Sequence, residues 1–229
     1  MRSEQIIGEK RCYIYENNEA DIFLIQAVDE HDLEVLDREV EIIKELSSNT
    51  PFALAAFAIE DWNDELSPWK APAVFGKNDF GGGAADTIAF VTDTLIPRLN
   101  DVYIRNNKAD FYLGGYSLSG LFALWAAYHT DAFCGIAAVS PSVWFPRWDA
   151  YMESHSIQTP KVYLSLGEIE EKTKNKVMAK VGINIRKQYE LISKEGDEKT
   201  CILEWNPGNH FVDTEIRMAK GFAWLLNGR

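Results

Sequence analysis

The sequence predicts an α/β fold: a mostly parallel sheet with helices on both faces. Three observations predict it. Short apolar runs recur along the chain and are almost continuously hydrophobic, as strands covered on both faces must be. Longer segments carry apolar residues at steps of three and four, the period of a helix packed by one side. The two patterns alternate along the chain, which is the order of βα units.

The elements follow in chain order. Strands are expected at Cys12 to Tyr15 and Ile22 to Val28, then a helix with Leu33, Leu36, Val40 and Ile43 on its inner stripe, then a strand at Phe52 to Ile59. Glu60 to Gly83 is long and irregular, with Trp62, Pro68, Trp69 and Pro72, and is expected to be a surface loop near the sheet's carboxyl edge. Its Gly81-Gly82-Gly83 run lacks the lysine and Ser/Thr of a phosphate-binding loop, so it is expected to be a flexible turn into the next helix. That helix carries Ile88, Val91, Leu95, Leu99 and Val102, with Pro97 marking a kink. A strand at Phe111 to Leu113 and a helix at Leu121 to Tyr128 come next, then strands at Gly135 to Val139 and Val162 to Leu166. A helix with Met178, Val181, Ile185, Tyr189 and Ile192, a strand at Cys201 to Trp205 and a helix with Val212, Ile216, Ala219, Ala223 and Leu226 complete the chain. These stripes are packing surfaces and are assigned no chemistry.

The stretch Gly115-Tyr116-Ser117-Leu118-Ser119-Gly120 joins a strand to a helix and has the layout of a nucleophile elbow. Such a turn pushes the serine side chain out at the carboxyl edge, and the residues two before and two after it must be small. Here they are Gly115 and Ser119. A glycine- and serine-rich turn closing a buried strand would look similar. A serine nucleophile, however, also needs a base to take its proton and a carboxylate to orient that base. The order Ser, then acid, then His along separate strand ends is the one an elbow-bearing sheet requires.

Of the four histidines, His210 lies on a short Gly208-Asn209 loop after the last strand and is the candidate base. His129 and His155 fit surface or capping roles, whereas His31, just after an early strand, could line the site. The acid is one of Glu168, Glu170 and Glu171, which follow a strand ending at Gly167. A carboxylate three residues past that glycine has left the ladder and can turn back, which favours Glu170. Glu171 suits the start of a helix, where negative charge is favourable. Trp144 and Phe145, with Trp148, follow another strand end; they would line the site as an apolar wall for the substrate, or else pack beneath a loop.

At 229 residues the whole chain, 1–229, is expected to be one domain with one core. Its formal charge of −12 opposes phosphate backbones and anionic lipid, so neither nucleic acid nor a membrane surface is an expected partner. The three cysteines, Cys12, Cys134 and Cys201, fit no metal-ligand pattern and read as reduced thiols; no metal is expected. The longest clear apolar run is about eight residues, far short of a membrane span. Met1 to Gln5 has no signal-like apolar core, so a cytoplasmic location is the expectation. Nothing in the sequence specifies the oligomeric state.

Several motifs together carry a resemblance. Ser67-Pro68-Trp69, Phe80-Gly81-Gly82-Gly83, Gly-Tyr-Ser-Leu-Ser-Gly around Ser117, Ser140-Pro141-Ser142-Val143-Trp144, Leu166-Gly167-Glu168-Ile169-Glu170 and Gly208-Asn209-His210-Phe211 span roughly Asp21 to the C-terminus. With them the chain resembles the α/β-hydrolase group of esterases that includes esterase D and the enterochelin-esterase-like proteins. The resemblance implies an α/β-hydrolase fold and a serine esterase without a cofactor, acting on a small-molecule ester through an acyl-enzyme. It implies Ser117, His210 and Glu170 as triad, with the backbone N–H of Leu118 as one oxyanion donor. The second donor would come from the loop after an early strand, where the family often has Asp-Gly and this chain has Asp29-Glu30. Glu30 is taken as that donor, with Asp29 and His31 as alternatives. The chain has no cluster of Arg or Lys to hold a large anionic trilactone, and Arg147 is the only cation in the aromatic segment. An acyltransferase or small peptidase would use the same residues, and a non-catalytic binding protein could retain the fold.

Overall fold

The computed structural model describes residues 2–103, 109–196 and 198–227. Its centre is an eight-stranded sheet: β1 (Arg2–Ile7), β2 (Lys10–Tyr15), β3 (Ile22–Val28), β4 (Ala53–Ala58), β5 (Asp110–Tyr116), β6 (Gly135–Val139), β7 (Lys161–Gly167) and β8 (Thr200–Asn206). They lie in the order β1-β2-β4-β3-β5-β6-β7-β8. β1 and β2 form an antiparallel hairpin that pairs antiparallel with β4, and every pairing from β4 through β3 to β8 is parallel. The parallel strands therefore all end at one edge.

Successive residues of a strand face opposite sides of the sheet, and two separate cores result. On one side Ile22, Leu24, Leu54, Ala56, Ala137 and Tyr163 meet α1 (Glu30–Leu46) and α8 (Thr214–Asn227) through Leu36, Val40, Ile43, Ala219 and Phe222. On the other, Phe23, Ile25, Ala55, Phe57, Leu113, Ile136 and Leu164 meet α5 (Leu118–His129) and α7 (Val181–Ser193), together with Leu95 and Leu99. α5 is buried along nearly its whole length, so its sequence is apolar on every side.

The expected sheet is present with one strand added. β1 alternates exposed and half-buried residues and is rich in polar side chains, which suits a solvated edge strand and hides it from a search for apolar runs. The segment expected to kink at Pro97 is a helix in three parts: α3 (Ala84–Phe90), a π-helical turn Val91–Leu95 and α4 (Ile96–Tyr103). A proline has no N–H for the carbonyl four residues back and crowds it, and a π turn just before it absorbs that misfit. The N–H of Ile96 accordingly donates to Val91 O.

The segment 60–83 is not wholly irregular. It contains a short helix, α2 (Trp62–Glu65), and an isolated bridge between Ala71 and Phe80. Its glycine run is packed: a side chain on Gly82 would come within 2.7 Å of Lys70 N. Trp69 ties the segment to the loop after β6 by donating from Nε1 to Pro146 O at 2.9 Å. A further helix, α6 (Trp148–Ser154), follows that loop.

Candidate active site

Ser117 occupies the sharp turn between β5 and α5, with φ 59° and ψ −119°, a conformation rarely adopted by residues with side chains. Backbone bonds hold it there: Ser117 N–H donates to Val139 O at 3.1 Å, and Ser142 N–H donates to Ser117 O at 3.0 Å. The turn closes only because Gly115 has no side chain, since a Cβ there would sit 2.4 Å from the backbone of Ser119. The hydroxyl of Ser117 then faces the loops that follow β6, β7 and β8.

His210, on the loop after β8, places Nε2 2.9 Å from Ser117 Oγ. Its Nδ1 lies 2.7 Å from Glu170 Oε2. Glu170 begins a 3-10 turn, Glu170–Lys172, just past β7 and is buried. Its other oxygen, Oε1, accepts from Ser140 Oγ at 2.8 Å, Gly167 N at 2.7 Å and Arg217 Nη1 at 3.2 Å. Burial alone would push this carboxyl's pKa up. The hydrogen bond and charge of His210, with the donors Ser140 and Gly167, outweigh burial and hold it below the usual carboxylate range. An ionised Glu170 accepts a hydrogen bond from Nδ1–H, which leaves the Nε2 lone pair for the Ser117 hydroxyl.

Of the three carboxylates after β7, Glu170 is the one brought to His210. Glu168 is exposed, and Glu171 makes a two-pronged pair with Arg186 at 2.8 and 3.0 Å. His129 lies far from this edge of its helix, with Nδ1 2.9 Å from Trp125 O, and His155 stacks on Tyr151. His31 is exposed, 3.8 Å from Glu34.

Leu118 is the first residue of α5 and Glu30 the first of α1, positions whose N–H groups have no carbonyl within the helix. At α1 the capping box spends Asp32 N–H on Asp29 Oδ1 and Asp29 N–H on Asp32 Oδ2. Glu30 and His31 keep theirs. Both residues line a cavity of about 930 Å³ together with Lys10, Tyr13, Ala58 and Glu60. Ser117 and His210 do not line it.

Trp144 and Phe145 are 7% and 2% exposed. Phe145 is enclosed by Phe80 and Trp69, with ring centroids 4.9 and 5.6 Å away, so it supports the loop from beneath. Trp144 meets Phe75, which is 51% exposed. Exposed apolar residues also flank the histidine and the acid: Phe211 (85%), Val212 and Ile169.

Four neighbours of the site were assigned no role from the sequence. Tyr116 donates to His210 O at 2.8 Å, Ser142 Oγ stands 3.4 Å from Ser117 Oγ, and Ser140 and Arg217 both donate to Glu170. Ser140 and Ser142 carried a usable signal, since they directly follow a strand end at the same edge. Among the described residues no group of three or more His, Cys, Asp or Glu is arranged to hold a metal ion.

The sequence model of the family described as "Putative esterase" matches residues 32–201, most of the chain. The chain belongs to this esterase family. As a member it is a carboxylic ester hydrolase, and its sheet has counterparts among solved structures. The IroE-like serine hydrolase from Shewanella oneidensis superposes with a TM-score of 0.82 at 14% identity, covering 99% of this chain and 80% of that one. The siderophore hydrolase EstA from Aspergillus nidulans gives 0.72 at 18% identity, covering 99% and 94%. The BES protein from Bacillus cereus gives 0.72 at 16%, covering 98% and 94%. At these identities the likeness is one of fold, and the fold of this esterase is that of the α/β-hydrolases. No curated protein matches the chain. Among the described residues no helix is long and apolar enough to cross a membrane.

Proposed function

We propose that the protein is a serine esterase working through an acyl-enzyme, with Ser117 as nucleophile, His210 as base and then acid, and Glu170 as the group that orients the imidazole. The observation that carries this reading is the unbroken chain Ser117 Oγ to His210 Nε2 at 2.9 Å and His210 Nδ1 to Glu170 Oε2 at 2.7 Å. In the first half-reaction Ser117 Oγ bonds to the ester carbonyl carbon as its proton passes to Nε2. The tetrahedral oxyanion takes N–H donors from Leu118 and, after the neighbouring strand β3, from Glu30. One such donor is worth ~2.7–4 kcal/mol of barrier in a dry, preorganised site. The alcohol leaves with the proton from Nε2, and water deprotonated by the same nitrogen releases the acid.

The substrate is a small-molecule ester, and the exposed Phe211 beside His210 offers it apolar surface. Cys12, Cys134 and Cys201 form no disulfide among the described residues, which suits a reducing compartment and supports the cytoplasm as location. The whole chain is read as one catalytic domain, since its one sheet supplies every residue named.

The test is covalent labelling with a fluorophosphonate alongside turnover of short p-nitrophenyl esters. Labelling at Ser117 alone, lost in a folded Ser117→Ala variant together with turnover, is the expected result. Turnover that survives in Ser117→Ala would remove the serine from the mechanism, and a folded wild-type protein with neither labelling nor turnover would be a binding protein.

A further inference from the structure

We propose that Arg217 is a positioning residue for this chemistry: its guanidinium joins the carboxylate of Glu170 to the backbone of the loop that carries His210, and so sets both the orientation of the imidazole and the charge it works against. The inference rests on the Ser117–His210–Glu170 reading.

Arg217 lies on α8 and is 1% exposed. Removing a guanidinium from water is costly, and helix packing does not call for it, because Met218, Ala219 and Phe222 already supply the apolar contact. The cost is offset by partners, and all of them belong to the active edge. Nη2 donates to Pro207 O at 2.7 Å and to Asn209 O at 2.9 Å. Nη1 faces Glu170 Oε1 at 3.2 Å, Tyr116 Oη at 3.1 Å and Ser140 Oγ at 3.4 Å. Tyr116 Oη in turn donates to His210 O at 2.8 Å. One planar group thus holds the carbonyls of Pro207 and Asn209 directly and that of His210 through Tyr116.

The same group acts on the acid. With Arg217, Ser140 and Gly167 all on Oε1, only Oε2 of Glu170 is left for His210. The groups facing this carboxylate are His210 from the loop after β8, Arg217 from α8, the Tyr116 and Ser140 hydroxyls from the ends of β5 and β6, and the Gly167 amide from β7. The nearby Glu168 is exposed and Glu171 is neutralised by Arg186. Arg217 is therefore the cation paired with Glu170 on the side away from the imidazole. A lysine could supply the charge, but its single ammonium cannot span both ends of the fork.

The experiment is the pH dependence of kcat and kcat/KM on a short p-nitrophenyl ester for the wild type, Arg217→Met, Arg217→Lys and Tyr116→Phe, each checked for folding by circular dichroism. Arg217→Met is expected to lower kcat by about 100-fold with KM changed only a few-fold, and to move the acid limb of kcat/KM up by about one pH unit, because an opposing positive charge has gone. Arg217→Lys is expected to keep the acid limb in place while still losing kcat. Tyr116→Phe should lose kcat by a smaller factor with the limb unmoved. A folded Arg217→Met variant with the wild-type acid limb and a kcat within a few-fold of wild type would overturn the proposal. Should Arg217→Met fail to fold, wild-type kcat in Arg217→Lys would overturn it equally. Failure of the triad reading looks different: the wild type would not turn over esters, or Glu170→Gln would be fully active.

Discussion

Glu170 and His210 meet through one oxygen only: Oε2 stands 2.7 Å from Nδ1, while Oε1 is committed to three other donors. A carboxylate held this way cannot rotate to present its other oxygen, so the imidazole has one orientation and one tautomer. Several expectations follow from how that pair and its surroundings are built.

Replacing Glu170 by Gln keeps the shape but offers an amide that can donate to Nδ1, favouring the wrong tautomer. kcat on a p-nitrophenyl ester should fall by ~10³–10⁴-fold with KM nearly unchanged. Glu168→Gln and Glu171→Gln should stay within a few-fold of wild type. Steady-state kinetics on the three variants checks this, and a large loss in Glu168→Gln instead would reassign the acid.

Gly115→Ala should damage both stability and rate. The added Cβ would lie 2.3 Å from Ser119 Oγ and 2.4 Å from the Ser119 carbonyl, and backbone cannot swing aside. Overpacking of this kind costs about 1–3 kcal/mol, readable by urea unfolding. Because the clash includes backbone, pairing it with Ser119→Gly should not restore activity; recovery would mean that the side chain alone was at fault.

Glu39 on α1 is buried, and its Oε1 and the Oε1 of Gln26 have no hydrogen-bond partner among the described residues. Burial, and then the charge of Asp32, push its carboxyl well above the usual range; Asp32 itself is pushed up to about 6, by burial and then by Asp29. A raised carboxyl holds its proton more tightly folded than unfolded. Its stabilisation is complete below the unfolded value and is lost as pH rises through the folded one. Glu39→Gln has no proton to lose at that position, so its Tm should gain on the wild type as pH rises above the ordinary carboxylate range. Parallel Tm curves would contradict the shift.

Among the described residues Phe211 is the most exposed large apolar residue, and it follows the histidine directly. Phe211→Ser should leave Tm almost unchanged, since little surface is lost from the core. For an aromatic or long-chain ester KM should rise a few-fold at constant kcat, and for an acetyl ester it should not. Equal effects on both substrates would mean that the side chain does not touch the acyl group.

The sequence exposed those features that depend on spacing. Ser117, Glu170 and His210 each follow a strand that reads as a strand, so the parallel sheet delivers them to one edge. Seven strands were legible for the same reason, and β1 was not, because Arg2–Ile7 carries polar residues at an edge where no apolar run is needed. Arg217 was illegible for a different cause. The final helix reads as a stripe through Val212, Ile216, Ala219, Ala223 and Leu226, yet Val212 precedes α8, Ile216 is half-buried and Arg217 is fully buried. Periodicity assigns the inner face to apolar residues, and it cannot show that a cation is matched there by a carboxylate 47 positions earlier. For the aromatic segment the sequence left two roles open, a wall for the substrate or packing beneath a loop, and Phe145 packs beneath the loop that bears Trp69.

At φ 59° and ψ −119°, residue 117 stands where glycine is comfortable and serine is not, a mismatch of order 1–3 kcal/mol. Folding by itself would favour losing the hydroxyl, so a Ser117→Gly variant should melt above the parent while hydrolysing nothing. Screens that reward heat tolerance alone would drive this protein toward inertness, and only a screen that also demands turnover would retain the serine.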